Sequence, residues 1–318
     1  MTALFVLQLL VPVVLVLWLW RWPPGNRLGW AVQTLATLLL FAVAARVGIW
    51  LYPPWWTPHF AALAVLAAVL LRWPHAKGLP WLPPHSMGWL GLFLFVVLAA
   101  ASAQGGARAW AGARPPPVSV VSLAWPLQED RFLVANGGND ILINAHLASF
   151  VSNDPRLLPW RGNRWAVDLV AINAIGVRAA GFRPTDPGRY RIFGLSVRAP
   201  CSGKVVVAVD GLPDMQVPAY DRAHPAGNHV MLACGDAHIA LAHFRQGSVR
   251  VHVGETVQVG QLLAQVGNSG GGNEPHLHIH AQRPGSATEP MGGEPLPMLL
   301  GGRFLVRGDR MEVWEWRP

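Results

Sequence analysis

The chain has 318 residues, which is long enough for two domains, and 52% of them are hydrophobic. Of the 25 Lys and Arg residues, seven lie in residues 1–118, where there is no Asp or Glu, so the net charge of +8 comes almost entirely from this apolar part. Because these bases flank hydrophobic runs, they indicate membrane topology. The composition therefore argues against an entirely water-soluble protein and against a nucleic-acid-binding one.

Four apolar runs in residues 1–104 predict an all-α transmembrane region of about four helices. The runs cover residues 2–20, 28–51, 54–71 and 87–103, and each can cross a hydrocarbon core about 30 Å thick. The third is the weakest, since it is uniformly apolar only from Phe60 onwards. The first begins without a base and ends in the bulky segment LWLWRW, which predicts a retained helix rather than a cleaved signal peptide.

Basic residues set the expected orientation of these helices. The first loop carries two Arg residues and the third carries Arg72 and Lys77, whereas the middle loop, YPPWWTP, has none. Positive loops stay in the cytoplasm, so both ends of the region are expected outside, in a multi-pass protein with an extracytoplasmic C-terminal domain. Arg108 and Arg114, which follow the fourth run, favour the opposite orientation.

Residues 105–117 are rich in Gly, Ala and Pro and predict a linker, and residues 118–318 have a different texture. There, short apolar stretches alternate with Gly, Pro, Asn and Asp, which predicts an all-β domain. The two cysteines of the chain, Cys201 and Cys234, both lie in this part. They are compatible with one disulfide in an oxidising compartment and equally with two small buried residues.

The segment PHLHIHAQ contains the strongest signal for chemistry. His276, His278 and His280 alternate with apolar residues, and side chains at i and i+2 of a strand share a face. Two imidazoles on one rigid face suit zinc, although histidines on a half-buried strand also produce this pattern. Upstream, Asp168 and His243 each interrupt an apolar stretch, where an isolated polar group is costly unless it is paired.

Residues 164–282 resemble the lysostaphin-like (LytM-type) zinc metallopeptidases, which cut peptide cross-links in bacterial cell walls. The resemblance is carried by the segments APCSGKV, GNHV, LAHF, VHVGETVQVGQLLAQVGNSG and PHLHIH. It implies a β-rich domain of the antiparallel β-sandwich kind, bacterial peptidoglycan peptides as substrate, and the bacterial cytoplasmic membrane as the place of anchoring. It also implies Zn²⁺ held by Asp168 and His278, with His243 and His276 as the catalytic pair.

One position departs from the family pattern. Arg164 stands four residues before Asp168, where the family has its first zinc-binding histidine, and a guanidinium has no lone pair to offer a metal. His146, in the segment GGNDILINAHLAS at a strand-like position, is the candidate replacement. The third zinc ligand could instead be His280 or one of four further histidines: His224, His229, His238 and His252. It is also open whether there is a third ligand at all.

Two other functions fit parts of the sequence. A lysostaphin-like domain that has lost zinc binding could regulate other cell-wall hydrolases, and Arg164 is a change that would accompany such a loss. Against this, Asp168 and the three histidines that the family motifs require are all present. The stretch VGETVQVGQLLAQVG also resembles the hairpin of lipoyl- and biotin-carrying domains, but Lys204, the lysine of the C-terminal part, lies outside it.

Overall fold

The structure, a computed structural model, describes residues 6–128, 130–151 and 154–313. The chain divides into two compact units, Met1–Ala111 and Gly112–Pro318. The first is helical and the second is built mainly from strands.

Within residues 6–111, the structure describes four α-helices, which follow a π-helical turn at Val6–Leu10. They are α1 (Val11–Arg21), α2 (Arg27–Val47), α3 (Thr57–Ala76) and α4 (Ser86–Ala111). By length and apolar composition α2, α3 and α4 can each cross a membrane, whereas α1 belongs to a shorter apolar helix. Residues 2–5 of the first expected span lie outside the described residues.

The outward faces of these helices suit a lipid environment. Large apolar side chains such as Leu71 and Met87 are 70% and 73% exposed, which is costly in water and favourable in hydrocarbon. The Asn26 side chain caps α2 by accepting a hydrogen bond from the backbone of Gly29 at 2.6 Å. At the other end of the unit, α4 continues through residues 105–111, where the sequence predicts the start of a linker.

The second unit contains thirteen strands among its described residues. They are β1 (Val121–Leu123), β2 (Asp130–Asn136), β3 (Val167–Ile172), β4 (Ser196–Arg198), β5 (Gly203–Val209), β6 (Asn228–Cys234), β7 (Ala237–Phe244), β8 (Thr256–Val257), β9 (Leu262–Gln265), β10 (Leu277–Gln282), β11 (Pro295–Leu296), β12 (Met298–Leu300) and β13 (Arg310–Val313). A four-residue helix, α5 (Ala148–Val151), and several 3-10 turns interrupt them, so the unit is β-rich rather than purely β.

Nine strands form one antiparallel sheet in the order β13-β2-β3-β10-β7-β6-β5-β8, with β11 paired to β10. The antiparallel pairing of the prediction is therefore confirmed for the large sheet. Two smaller ribbons accompany it: β4 and β9 pair antiparallel, whereas β1 and β12 pair parallel. The lysostaphin-like sandwich arrangement stays a prediction.

Apolar and polar residues alternate along the central strands, so the apolar side chains face the core and the polar side chains face the opposite side of the sheet. Leu277, Ile279 and Ala281 of β10 lie in the hydrophobic core and are at most 1% exposed. The intervening residues of β10, His278 and His280, point to the opposite face because successive strand residues alternate. Full burial of an aliphatic side chain such as Ile279 contributes roughly 1.5–3 kcal/mol to folding, which holds the polar face in register.

Two details of the sheet bear on the expectations from sequence. Cys201 and Cys234 form a disulfide with a Cα–Cα distance of 6.2 Å. Lys204 lies inside β5, paired with Ala233 of β6 and Thr256 of β8. Although it is exposed, a lysine inside a strand does not lie at a hairpin tip, where a lipoyl or biotin carrier presents its lysine.

Candidate metal centre

The centre of the polar face is set by the pairing of β3 with β10. In that register Asp168 is directly opposite His278, and on the other side of β10 His278 is opposite Ala242 of β7. Directly paired residues of an antiparallel sheet project to the same face. The register thus places a carboxylate beside an imidazole, and the small Ala242 leaves the space next to them open.

The Asp168 carboxylate is the hub of the site. Its Oδ2 lies 2.9 Å from His146 Nε2 and accepts a hydrogen bond from Asn136 Nδ2 at 2.8 Å. Its Oδ1 lies 3.1 Å from His278 Nδ1 and 3.8 Å from His276 Nε2. Burial by itself raises the pKa of Asp168, but the charges and hydrogen bonds of the surrounding histidines outweigh it and hold the pKa well below its usual range. The carboxyl group is therefore ionised.

His146 reaches Asp168 from a 3-10 turn, Ala145–Leu147, and not from the strand that the sequence predicts. The reason is local: the Asn144 side chain accepts a hydrogen bond from the backbone of His146 and starts the turn. Asn144 Nδ2 also donates to the carbonyl of Ala166 at 3.1 Å, which ties the turn to the segment that enters β3.

Three of the predicted residues could hold a metal ion together. In the described part of the chain, His146, Asp168 and His278 form a group whose ligand atoms all lie within 4.8 Å of one another. Two imidazole nitrogens and one carboxylate oxygen are a donor set that zinc accepts, and three protein ligands are the number found in catalytic zinc sites. The residues therefore fit the zinc ion that the family resemblance implies.

Arg164 stacks on two aromatic side chains. Its guanidinium carbon is 4.1 Å from the centroid of the Phe150 ring and 4.6 Å from that of Trp165. Stacking on two aromatic rings stabilises a cation, and burial lowers the pKa of the guanidinium. The arginine thus has a packing role of its own at the position where the family has a ligand.

His243 is held in an unusual backbone conformation. Asn228 pairs with Phe244 and His229 with Ala242, so His243 is the extra residue of a β-bulge, and its φ is +66°. Bulges re-aim side chains, and a left-handed non-glycine residue costs roughly 1–2 kcal/mol that neighbouring contacts must offset. Here Nδ1 donates to the carbonyl of Ser269 at 2.9 Å, which leaves Nε2 without a proton in the neutral ring.

Burial lowers the pKa of His243 well below its usual range, and the nearby His276 and His278 add to the effect. The neutral ring can accept a proton. The His276 ring lies 4.5 Å from the His243 ring, centroid to centroid, and its Nδ1 donates to the carbonyl of Glu274 at 2.8 Å. Arg178 holds Glu274 in turn through two hydrogen bonds of 2.7 Å. His243 and His276 thus lie side by side next to the three candidate ligands.

A cavity of about 380 Å³ opens onto these residues. Its wall combines the polar side chains of His146, His243 and His278 with the apolar side chains of Leu157, Trp160 and Met291. Such a mixture suits a peptide, because the apolar wall can cover side chains while the polar groups face the backbone.

The other histidines that the sequence left open do not belong to the donor group. His280 lies behind His278, with its Nδ1 3.0 Å from His278 Nε2. His224 pairs with Asp221 at the surface at 2.7 Å, and His229 Nδ1 donates to the carbonyl of Gly227. His238 and His252 are likewise outside the group.

Asn136 is a residue of the site that the sequence reasoning missed. A register shift between Val134 and Asn136 places it opposite Asp168, and Arg307 donates to its Oδ1 at 2.6 Å, so its Nδ2 faces the carboxylate. A bulge that depends on pairing between distant strands leaves no signal in the sequence. Gln282 was also missed, although its spacing of four residues after His278 predicts the same strand face.

Comparison with known proteins finds one matching family. The model of Peptidase family M23 matches residues 192–290, a segment that contains His243, His276 and His278, whereas His146 and Asp168 lie upstream of it. No curated protein matches the chain.

Three solved structures illustrate the similarity. The catalytic domain of the antimicrobial peptidase lysostaphin from Staphylococcus simulans is 22% identical, covers 39% of this chain and 71% of its own, and has a TM-score of 0.26. A zinc-containing peptidase from Vibrio cholerae is 18% identical over 36% of this chain and 46% of its own, with a TM-score of 0.22. Csd3 from Helicobacter pylori is 14% identical over 62% of this chain and 36% of its own, with a TM-score of 0.30.

The likeness to the last two structures therefore spans less than half of their own chains. The family match, in contrast, covers the strands that carry three of the five site residues. The chain therefore carries, over residues 192–290, a domain of Peptidase family M23, the lysostaphin-like (LytM-type) metallopeptidases.

Proposed function

We propose that this protein is a membrane-anchored zinc endopeptidase that hydrolyses peptide bonds in bacterial peptidoglycan, in its cross-links or stem peptides. The observation that carries the proposal is that two sets of side chains meet at one place, and that His146, His243 and His278 among them line one cavity. His146, Asp168 and His278 bring three ligand atoms within 4.8 Å of one another, and His243 and His276 lie beside them with their rings 4.5 Å apart.

Zinc held by His146, Asp168 and His278 would polarise the peptide carbonyl and bring the pKa of a bound water to about 7. The chain's own part in the reaction is proton transfer. His243 is buried, neutral and free at Nε2, so we assign to it the removal of a proton from the attacking water. His243 then returns that proton to the leaving nitrogen, and we assign to His276 the stabilisation of the carbonyl oxygen that gains negative charge, for which its ring must carry a proton on Nε2 as well as the one that Nδ1 donates to Glu274.

The charge of Asp168 supports the same arrangement. A buried carboxylate with a lowered pKa keeps its negative charge next to the histidines and orients the His146 ring through a contact of 2.9 Å between Oδ2 and His146 Nε2. It thus serves both as a candidate ligand and as the group that fixes the ring position of His146. A degenerate, purely regulatory domain would have no physical reason to keep these costly buried groups aligned.

The proposed location is the bacterial cytoplasmic membrane, with the C-terminal unit on the extracytoplasmic side. Three helices long and apolar enough to cross a membrane support an anchor, and the basic loops of the sequence support this orientation. The disulfide between Cys201 and Cys234 is in keeping with an oxidising compartment. A domain placed there faces the cell wall directly.

The test uses the full chain in detergent, with zinc content and cleavage of purified peptidoglycan measured on the same samples. We expect about one zinc per wild-type chain and release of new amino groups from the wall. His276→Ala should keep zinc and lose about 10²- to 10⁴-fold in rate, the usual contribution of a positioned acid-base group. His278→Ala should lose both zinc and activity.

The matched control is His252→Ala, which removes a histidine that is outside the donor group and should change neither measurement. Retention of zinc by His278→Ala would refute the ligand assignment. A wild-type chain that binds zinc and leaves peptidoglycan intact would refute the substrate and favour the regulatory alternative.

A further inference from the structure

A chain of hydrogen bonds runs away from the candidate metal site along one face of β10. His278 Nε2 lies 3.0 Å from His280 Nδ1, and His280 Nε2 lies 3.2 Å from Gln282 Oε1. Gln282 Nε2 then donates to the carbonyl of Pro290 at 2.6 Å. All three side chains are buried, with exposed fractions of 5%, 1% and 0% along β10.

The carbonyl of Pro290 determines which atom donates and which accepts in each of these hydrogen bonds. The carbonyl of Pro290 can only accept, so it binds the amide nitrogen of Gln282, and Gln282 Oε1 must face His280. An amide oxygen also only accepts, so His280 carries its proton on Nε2 and presents a bare Nδ1 to His278. His278 in turn carries its proton on Nε2, and its Nδ1 lone pair faces Asp168 Oδ1 at 3.1 Å.

Two glycines make room for the Gln282 amide. A Cβ atom at Gly162 would overlap Gln282 Oε1, and one at Gly293 would lie 2.6 Å from Gln282 Nε2. The amide therefore occupies a slot that only glycine leaves open on both sides. Reversal of the amide would place its oxygen against the Pro290 carbonyl, an acceptor against an acceptor.

We propose that His280 and Gln282 are positioning residues that set the tautomer of His278, so that its Nδ1 lone pair is aimed with Asp168 at one cation. The inference rests on the proposed zinc site, although the tautomers themselves can be measured without the metal. Two lone pairs that face each other at 3.1 Å repel unless a cation lies between them. The hydrogen-bonded series of His278, His280 and Gln282, called the relay below, therefore prepares the site for a metal. Partners of this kind typically account for 10- to 100-fold of metal affinity.

The tautomers give the first test. The full chain, labelled with ¹⁵N at histidine and embedded in lipid bilayers, is compared by NMR at pH 8, where histidine is neutral, with and without zinc. We expect His280 to carry its proton on Nε2 in both samples. A His280 proton on Nδ1 would overturn the relay, because Gln282 Oε1 would then face a lone pair.

The second test measures zinc affinity by competition with a chelator. His280→Leu removes the acceptor for His278 Nε2–H and should weaken zinc binding about 10- to 100-fold, whereas His280→Asn keeps an acceptor at that position and should stay within a few-fold of wild type. His252→Leu, which removes an exposed histidine outside the donor group, is the matched control and should have no effect. Wild-type affinity in His280→Leu would overturn the proposal.

Circular dichroism establishes that each variant folds. If His280→Leu does not fold, Gln282→Met carries the test: it removes the amide and should abolish the preference of His280 for the Nε2 proton. Retention of that preference would overturn the relay. A wild-type chain that binds no zinc would refute the proposed function, and the His280 tautomer would still decide the relay on its own.

Discussion

The sharpest prediction concerns His146, the proposed replacement for the zinc-binding histidine that the family has four residues before Asp168. His146→Ala removes one of the three candidate ligand atoms, but Asp168 keeps its hydrogen bond from Asn136 at 2.8 Å, so the fold should survive. Loss of a residue that only supports a ligand costs about 10- to 100-fold in metal affinity. Loss of a ligand itself should therefore cost at least about 100-fold, or about 2.7 kcal/mol at 1.36 kcal/mol for each factor of ten.

The assay is zinc affinity of the full chain in detergent, measured by chelator competition. The matched control is His224→Ala, because His224 also contacts an aspartate, Asp221, at 2.7 Å but does so at the surface, outside the donor group. A second control, Arg164→His, should not raise the affinity, since the side chain at position 164 packs on Phe150. Wild-type zinc affinity in His146→Ala would refute the reasoning from geometry.

Two further predictions concern stability. Arg178→Met leaves the Glu274 carboxylate, whose side chain is only 15% exposed, without its bidentate partner and should lower the free energy of unfolding by up to about 3–5 kcal/mol. Arg156→Met, which removes an arginine that is 88% exposed and paired with Asp154, should leave the unfolding midpoint unchanged. Equal effects of the two substitutions would contradict the assignment. The free energy of unfolding of the zinc-free chain should also decrease as the pH is lowered below about 6.5. Burial lowers the pKa of His243 and His280 in the folded protein, so only the unfolded chain binds these protons as the pH is lowered. Each histidine then decreases the free energy of unfolding by up to about 1.4 kcal/mol per pH unit. A thermal midpoint that does not fall between pH 7 and pH 5.5 would contradict this.

Several features of the fold follow from local patterns that survive in any tertiary context. Apolar runs of about twenty residues predict spanning helices because an unpaired backbone is costly in hydrocarbon, and three such helices are present. Alternation in the segment LHIHAQ predicts a half-buried strand, and β10 has its apolar residues in the core. The likeness of residues 164–282 to a peptidase family is likewise a property of the sequence, and the family match over residues 192–290 confirms it.

Other features depend on which strands become neighbours. The bulge that turns His243 towards His276 exists only because β7 has one extra residue where it pairs with Asn228 and His229 of β6. The 3-10 turn that carries His146 forms where the sequence predicts a strand, because Asn144 caps it and ties it to Ala166. Neither the spacing of 22 residues between His146 and Asp168 nor the composition around them indicates that contact.

The sequence by itself determined the residue types of the site, the β-rich character of the second unit and the apolar helices of the first, because each depends on short-range pattern and side-chain chemistry. Only the tertiary structure decided that His146 reaches Asp168, that Arg164 stacks on Phe150, and that Gln282 contacts His280 behind the site. These contacts depend on distances between residues far apart in the chain, and strand register sets those distances once the core has formed.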